Sequence, residues 1–214
     1  FATRLMSLVA KKTKQQVVTE LRCEEILDAA RRLFSRRGFQ DVGIDEIAAE
    51  AGLAKATVYQ YFPSKQDIYL EALRIGVREL VDRTEAQMKL AIGTRAKIEA
   101  FIRTRLEYLD QHRDFFAVYH SEFGNLTHPA TLNSEFRRMY RRQFELLEKV
   151  IEQGAAQGEF AKVPAGVLTT LIYESTRGLM LHHSLGWSST SVEEQVMSLM
   201  QIVWDGVGKK GSKR

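Results

Sequence analysis

Apolar and polar positions recur with the period of an α-helix along nearly the whole chain. From Leu21 the stretch LRCEEILDAARRLFSRRG places Ile26, Leu27, Ala30, Leu33 and Phe34 on one stripe. Its acids Glu24, Glu25 and Asp28 come early and Arg36 and Arg37 come late, the order that the helix dipole favours. Gly38 is the expected stop, with Phe39 just beyond it to pack back on the helix. IDEIAAEAG predicts a second, short helix with Gly43 as N-cap, Ile44, Ile47, Ala48 and Ala51 apolar, and Gly52 at its end. A third is predicted from Lys55 to Phe62. Val58 and Phe62 lie one turn apart and should face the first helix, with Leu53 also apolar. Thr57, Gln60 and Tyr61 should then point outward, with Lys55, Ala56 and Tyr59 at the exposed amino end and flank. Pro63 closes this helix and Ser64 caps the next, with Asp67 three residues on.

Beyond Ser64 the pattern predicts long amphipathic helices near 65–91, 95–111, 114–124, 131–155, 164–185 and 190–207. The breaks fall at IGT, at GNLTHPA, around Gly154–Pro164 and at LGWSST. The expected fold class is therefore all-α. The expected organisation is a basic extension over 1–20, a three-helix unit over 21–68, a larger helical domain over 69–208 and a basic tail over 209–214. The first helix of the larger part runs through the expected boundary, so one continuous helix can join the two.

Composition narrows the class without deciding it. The 214 residues, 44% hydrophobic and 27% charged, suit a soluble globular protein of one or two domains. No apolar run reaches the ~18 residues of a membrane span. The first ten residues lack the apolar core of a signal peptide. Cys23, the single cysteine, cannot form an internal disulfide, and the cytoplasm is the expected compartment. The net charge of +4 is unevenly spread: +3 over residues 1–65, −3 over 66–208 and +4 over KKGSKR. Residues 1–19 carry Arg4, Lys11, Lys12 and Lys14 and no acid. Basic ends of this kind suit a polyanion and equally suit plain solubilising tails.

Three short helices, the last two joined by a tight turn at Gly52, make a helix-turn-helix unit, which lays its last helix in the major groove of DNA. Groove entry favours an outer face with donors and no acid, and residues 51–65, AGLAKATVYQYFPSK, contain neither Asp nor Glu. ILDAARRLFSRRGFQ followed by IDEIAAEAGLAKATVYQYFPSK resembles the amino-terminal domain of the tetracycline-repressor (TetR) family of transcriptional regulators. The pattern in step is Ala29, Ala30, Leu33, Phe34, Gly38, Phe39, Ile47, Ala48, Ala51, Gly52, Thr57, Tyr59, Tyr61, Phe62 and Lys65. The resemblance covers about residues 22–70. It implies that Thr57, Tyr61 and Lys65 contact phosphates, that Tyr59 reaches a phosphate or a base, and that Lys55, Ala56 and Gln60 lie nearest the bases. The family often has Ser or Thr in place of Gly43, Ser in place of Ala54 and Gly in place of Ala56. These departures bear on which sequence is read.

The resemblance further implies that the carboxy-terminal helices form a homodimer and enclose a pocket for a small-molecule effector. Expected pocket residues are Phe116, Tyr119, His120, Phe123, Phe144, Tyr173, Glu174 and Arg177. Expected dimer residues are Leu171, Gly178, Val196, Leu199 and Val203, with Gly178 allowing a close helix approach. No metal is expected, because His182 and His183 are adjacent and diverge by about 100° on a helix. No Gly-rich phosphate loop, GxSxG or Cys/His dyad points to catalysis or a cofactor. The expected function is a dimeric repressor that binds a double-stranded DNA operator and is released by its effector. The alternative is a helical protein that binds a small molecule or a partner and whose head no longer reads DNA.

Overall fold

The computed structural model describes residues 13–112, 134–160 and 163–207. These form eight helices: α1 Lys14–Arg37, α2 Ile44–Glu50, α3 Lys55–Tyr61, α4 Lys65–Leu90, α5 Thr94–Gln111, α6 Ser134–Ala156, α7 Ala165–Ser184 and α8 Val192–Val207. The helix expected at 114–124 lies outside the described residues. The chain divides into two compact units, one up to Ala72 and one from Leu73. The division falls inside α4.

In the smaller unit α1 begins earlier than the apolar stripe predicts. Thr13 is its N-cap: Gln16 N–H donates to the Thr13 hydroxyl at 3.2 Å, and Thr13 N–H donates to the Gln16 side chain at 2.8 Å. This reciprocal box starts a helix through residues 14–20, which the sequence reading assigned to an extension. Val17, Val18 and Leu21 are exposed there, so the added turns bury little. The core follows further along: Ile26, Ala29, Ala30, Ile47, Val58 and Ile68 are fully buried. Ala29 and Ala30 lack bulk, which lets α2 and α3 approach the α1 backbone. Phe34, Phe39 and Tyr69 close one end of this core, with ring centroids 4.8–5.7 Å apart.

In the larger unit α5 is the central element and packs against each of α6, α7 and α8. Ile98, Phe101, Ile102, Leu106 and Leu109 face this core, met by Leu147 and Ile151 of α6, Leu168 and Ile172 of α7, and Val196 and Met200 of α8. Buried Thr84 and Thr176 satisfy their hydroxyls on the carbonyls of Leu80 and Ile172, both at 2.7 Å. Gly154 of α6 marks a tight contact, since a Cβ there would lie 2.6 Å from both Phe160 Cε2 and Thr94 Cγ2. Phe160 is itself held against Trp204, ring centroids 5.4 Å apart. Gly154→Ala should therefore cost about 1–3 kcal/mol of stability through overpacking. Urea unfolding checks this, and an unchanged midpoint would contradict the close packing.

Candidate functional site

A seven-residue helix is too short to persist alone in water, so α3 depends on what it packs against. Val58 is fully buried and Phe62, its C-cap, nearly so, and α3 contacts both α1 and α2. The α2–α3 turn is fixed by Gly52 at φ +67°, where an L side chain would be strained. Gly52 N–H and Leu53 N–H donate to the carbonyls of Ala49 and Ala48, at 3.1 and 2.8 Å. With two anchors on one side, the opposite face is free. Of the positions expected to point outward, Gln60 is exposed and Thr57 and Tyr61 are half-buried at its margins, while Lys55, Ala56 and Tyr59 are exposed as the spacing predicts.

Electrostatics around this face are set by the acids of α2, each of which has a basic partner. Glu50 accepts from Arg32 Nε at 2.8 Å. Glu46 accepts from Arg37 Nη1 at 2.5 Å and from Gly43 N–H at 2.8 Å. These bonds, that from Arg37 foremost, hold the Glu46 carboxyl below its ordinary value. The Gly43 bond is the return half of a capping box, and Gly43 itself supplies no side-chain cap. Asp45 is paired with Lys55, whose Nζ lies 2.9 Å from both carboxylate oxygens. Its hydrogen bond to Asp45 raises the Lys55 ammonium above its ordinary value.

Lys65 was expected on a phosphate. In this structure its ammonium is turned onto the α1–α2 loop and donates to the carbonyls of Phe39, Gln40 and Val42 at 2.7, 3.3 and 2.9 Å. It also sits 4.3 Å from the centroid of the Phe39 ring. An ammonium has three N–H donors, and the three carbonyls account for them. Spacing along the chain could not show this, because the acceptors are backbone oxygens more than twenty residues away.

Half of the residues expected to line an effector pocket are among the described ones. Phe116, Tyr119, His120 and Phe123 lie outside the described residues. Phe144, Tyr173, Glu174 and Arg177 come together between α6 and α7. The Tyr173 ring meets those of Tyr140, Phe144 and Phe101 at 5.0, 6.3 and 5.9 Å between centroids. Glu174 accepts from Tyr140 Oη at 3.1 Å and from Arg177 Nε at 2.7 Å. Tyr140, Arg105 and Gln143, which the spacing does not single out, belong here too. Arg105 is fully buried, its guanidinium 4.5 Å from the Tyr173 centroid and 5.3 Å from that of Phe101. It donates through Nη1 to the buried Gln143 Oε1, which also accepts from Tyr173 Oη at 3.2 Å. The signal was present: Arg105 sits on the apolar stripe 98–101–105–109 of α5, where a charge needs a reason. A separate polar groove of about 420 Å³, between α4 and α5, is lined by Arg83, Gln87, Glu99, Arg103, Thr104 and Tyr108 among others. None of the expected pocket residues lines it.

The expected dimer residues divide. Val196, Leu199 and Val203, expected at a dimer interface, are buried within the single chain. The physical reason is that α8 is apolar on more than one side, so period alone does not say which stripe faces the core. Leu171 is 55% exposed, with Val167 one turn before it, and Met197 and Ile202 are exposed on α8. Gly178 continues the Val167–Leu171 stripe, and among the described residues a Cβ there would meet nothing within 4 Å. His182 and His183 diverge as expected: His183 Nε2 lies 2.9 Å from Asp110 Oδ1, and His182 packs edge-on to Trp187.

Comparison with known proteins now bears on these surfaces. Residues 26–72 match the family model described as bacterial regulatory proteins, tetR family. Residues 92–181 match the tetracyclin repressor-like C-terminal domain. The chain belongs to the TetR family. The HTH-type transcriptional repressor KstR2 of Rhodococcus jostii is 28% identical over 189 residues, spanning 86% of this chain and 89% of that protein. A transcriptional regulator from Saccharomonospora viridis, solved in complex with choline, is 30% identical with a TM-score of 0.75, covering 90% of this chain and 100% of that one. FadR of Bacillus subtilis, solved with stearoyl-CoA, shares the fold at a TM-score of 0.73 and 18% identity, covering 86% of this chain and 98% of that one. This TetR-family protein is a DNA-binding transcriptional regulator.

The Lys65 geometry generates a prediction. Lys65→Met removes the ammonium and leaves half-buried loop carbonyls to water, which should loosen residues 38–43 at a cost of about 1–3 kcal/mol. Hydrogen exchange of the loop amides checks the loosening. The slope of log affinity for DNA against log salt should stay at the wild-type value. Flattening by about 0.9 would instead identify Lys65 as a phosphate contact.

Proposed function

We propose that two copies of this chain form a repressor in the cytoplasm that holds one operator half-site in each α3 and lets go when a small organic effector binds the larger unit. The observation that carries this reading is the outer face of α3, acid-free and anchored from behind by the buried Val58 and Phe62. Thr57, Tyr59 and Tyr61 supply hydroxyls for phosphates, which position the helix without reading sequence. Lys55, Ala56 and Gln60 face the base edges. Lysine suits guanine O6 and N7, glutamine suits adenine N6 and N7, and an alanine methyl suits the thymine methyl.

The effector is read as a partly apolar molecule bounded by Tyr140, Phe144 and Tyr173, with Glu174 and Arg177 as polar contacts. Choline and stearoyl-CoA, bound by two relatives of this fold, differ so much that the fold alone does not select a ligand. Selection then rests on the polar groups each chain places in the wall, here Arg105, Gln143 and the Glu174–Arg177 pair. Effector and DNA affect each other by the same factor, whatever the path between them. Release therefore requires that the effector bind the DNA-free state more tightly.

Pairing of two chains is assigned to the exposed apolar residues of α7 and α8, Val167, Leu171, Met197 and Ile202, with Gly178 permitting close approach. Apolar residues on a two-fold interface need not be numerous, because each contact occurs twice.

Two tests follow from these assignments. A duplex recovered by wild-type protein from a random-sequence pool serves as the operator. Thr57→Ala with Tyr61→Ala should weaken binding to it by roughly tenfold, the loss of two hydrogen bonds of about 0.5–1.5 kcal/mol each. Equal affinity of variant and wild type in gel shift at several salt concentrations would remove these residues from the contact set. Leu171→Arg with Ile202→Arg should give a folded monomer by sedimentation velocity. An unaltered dimer would place the interface elsewhere.

A further inference from the structure

The ion pair between α2 and α3 joins a helix that carries a candidate base contact to one that the sequence reading left out of the site. Lys55, the first residue of α3, is the only Lys or Arg between residues 38 and 64. Its Nζ lies 2.9 Å from each carboxylate oxygen of Asp45, near the start of α2. Both side chains are largely open to water, at 52% and 70% exposure. Of the three acids on α2, Glu46 and Glu50 fasten α2 to α1 through Arg37 and Arg32. Among the described residues Asp45 makes no such link to the scaffold. Its carboxylate is spent on the one cation of the reading face, which is an odd expense for a surface that meets polyanionic DNA.

We propose that Asp45 is a specificity-determining residue that acts through Lys55. An exposed pair of this kind is weak, so a well-placed acceptor displaces the carboxylate or shares the ammonium with it. Guanine offers two such acceptors, O6 and N7, on one edge in the major groove. A phosphate is the stronger, charged acceptor, so selectivity rests on Asp45 holding the ammonium toward the base edges; where those edges offer only a lone acceptor, Lys55 stays with Asp45. On most sequences the pair is then electrically neutral and adds nothing to the phosphate-driven background. At a site with guanine opposite α3 the lysine charge is released to the base. The carboxylate also aims the ammonium, since the N–H groups it does not hold must point away from α2. Without Asp45 a four-methylene side chain would sample phosphates and bases alike.

This rests on α3 being the DNA-contacting helix, and the test separates the two claims. Affinity is measured by fluorescence anisotropy for the pool-selected duplex and for a scrambled duplex of equal length. Wild type, Asp45→Asn, Lys55→Met and the double variant are compared at several salt concentrations. Asp45→Asn is close in shape, and its melting temperature reports whether the head still folds. The expected result is tighter binding of Asp45→Asn to the scrambled duplex, with a salt slope steeper by about 0.9 from the freed charge. The ratio of selected to scrambled affinity should fall about fivefold or more, the scale of one good base contact. In the Lys55→Met background the same Asp45→Asn change should leave that ratio unaltered, as coupling between the two residues requires. Equal tightening on both duplexes, or a ratio that falls equally with and without Lys55, overturns the proposal. A wild-type protein that prefers no duplex overturns the reading of α3 instead.

Discussion

The structure of the head depends on how little of α3 is buried. A helix of two turns exposes most of its surface, and holding it in place with a broad apolar face would leave nothing to present. Here the buried attachment is Val58 and Phe62 on one side, with the Gly52 turn at the entrance and the exposed Lys55–Asp45 pair reaching α2. The buried Ala29 and Ala30 of α1 let the second and third helices settle close enough for that small contact to suffice. Each fully buried large aliphatic side chain contributes about 1.5–3 kcal/mol, so the loss of Val58 or Phe62 would cost more than any outward residue of α3 could. The free face follows from this economy of anchors.

A second set of contacts fixes the direction in which that face points. Arg32 and Arg37 of α1 fasten Glu50 and Glu46 of α2, and Lys65 at the head of α4 gathers three carbonyls of the loop that enters α2. The exposed ion pairs contribute little stability each. Their effect is positional, because they tie α2 to α1 at two points and the loop to α4 at a third. Glu46 holds its proton less tightly than an ordinary carboxyl, so its share of this bracing is present above the usual carboxylate range. It is lost as the pH falls through the depressed value. The same reasoning separates Asp45, whose pair with Lys55 lies on the reading face and braces nothing else.

Most of the fold was legible in the sequence because it follows local rules. Helical period, the glycines at 38 and 52 and the proline at 63 place seven of the eight observed helices within a few residues of their bounds. The early start of α1 was missed because its signal is a polar box at Thr13 and Gln16, not an apolar stripe. What period cannot show is which partner a side chain chooses. Lys65 has the spacing of a phosphate contact and the geometry of a loop clasp. Val196, Leu199 and Val203 have the spacing of an interface and belong to the core of one chain. Arg105 lies on an apolar stripe of α5, and that position is the signal for its burial beside Tyr173 and Gln143.

The account stands on the outward face of α3 being the surface that meets DNA. Hydrogen–deuterium exchange of the full-length protein, with and without a saturating pool-selected duplex, measures that directly. The account predicts that slowed exchange concentrates in residues 43–62, strongest at the amino end of α3, and that a scrambled duplex gives a weaker effect there. Protection confined to the larger unit or to the early turns of α1, with residues 54–61 exchanging as in the free protein, would contradict it.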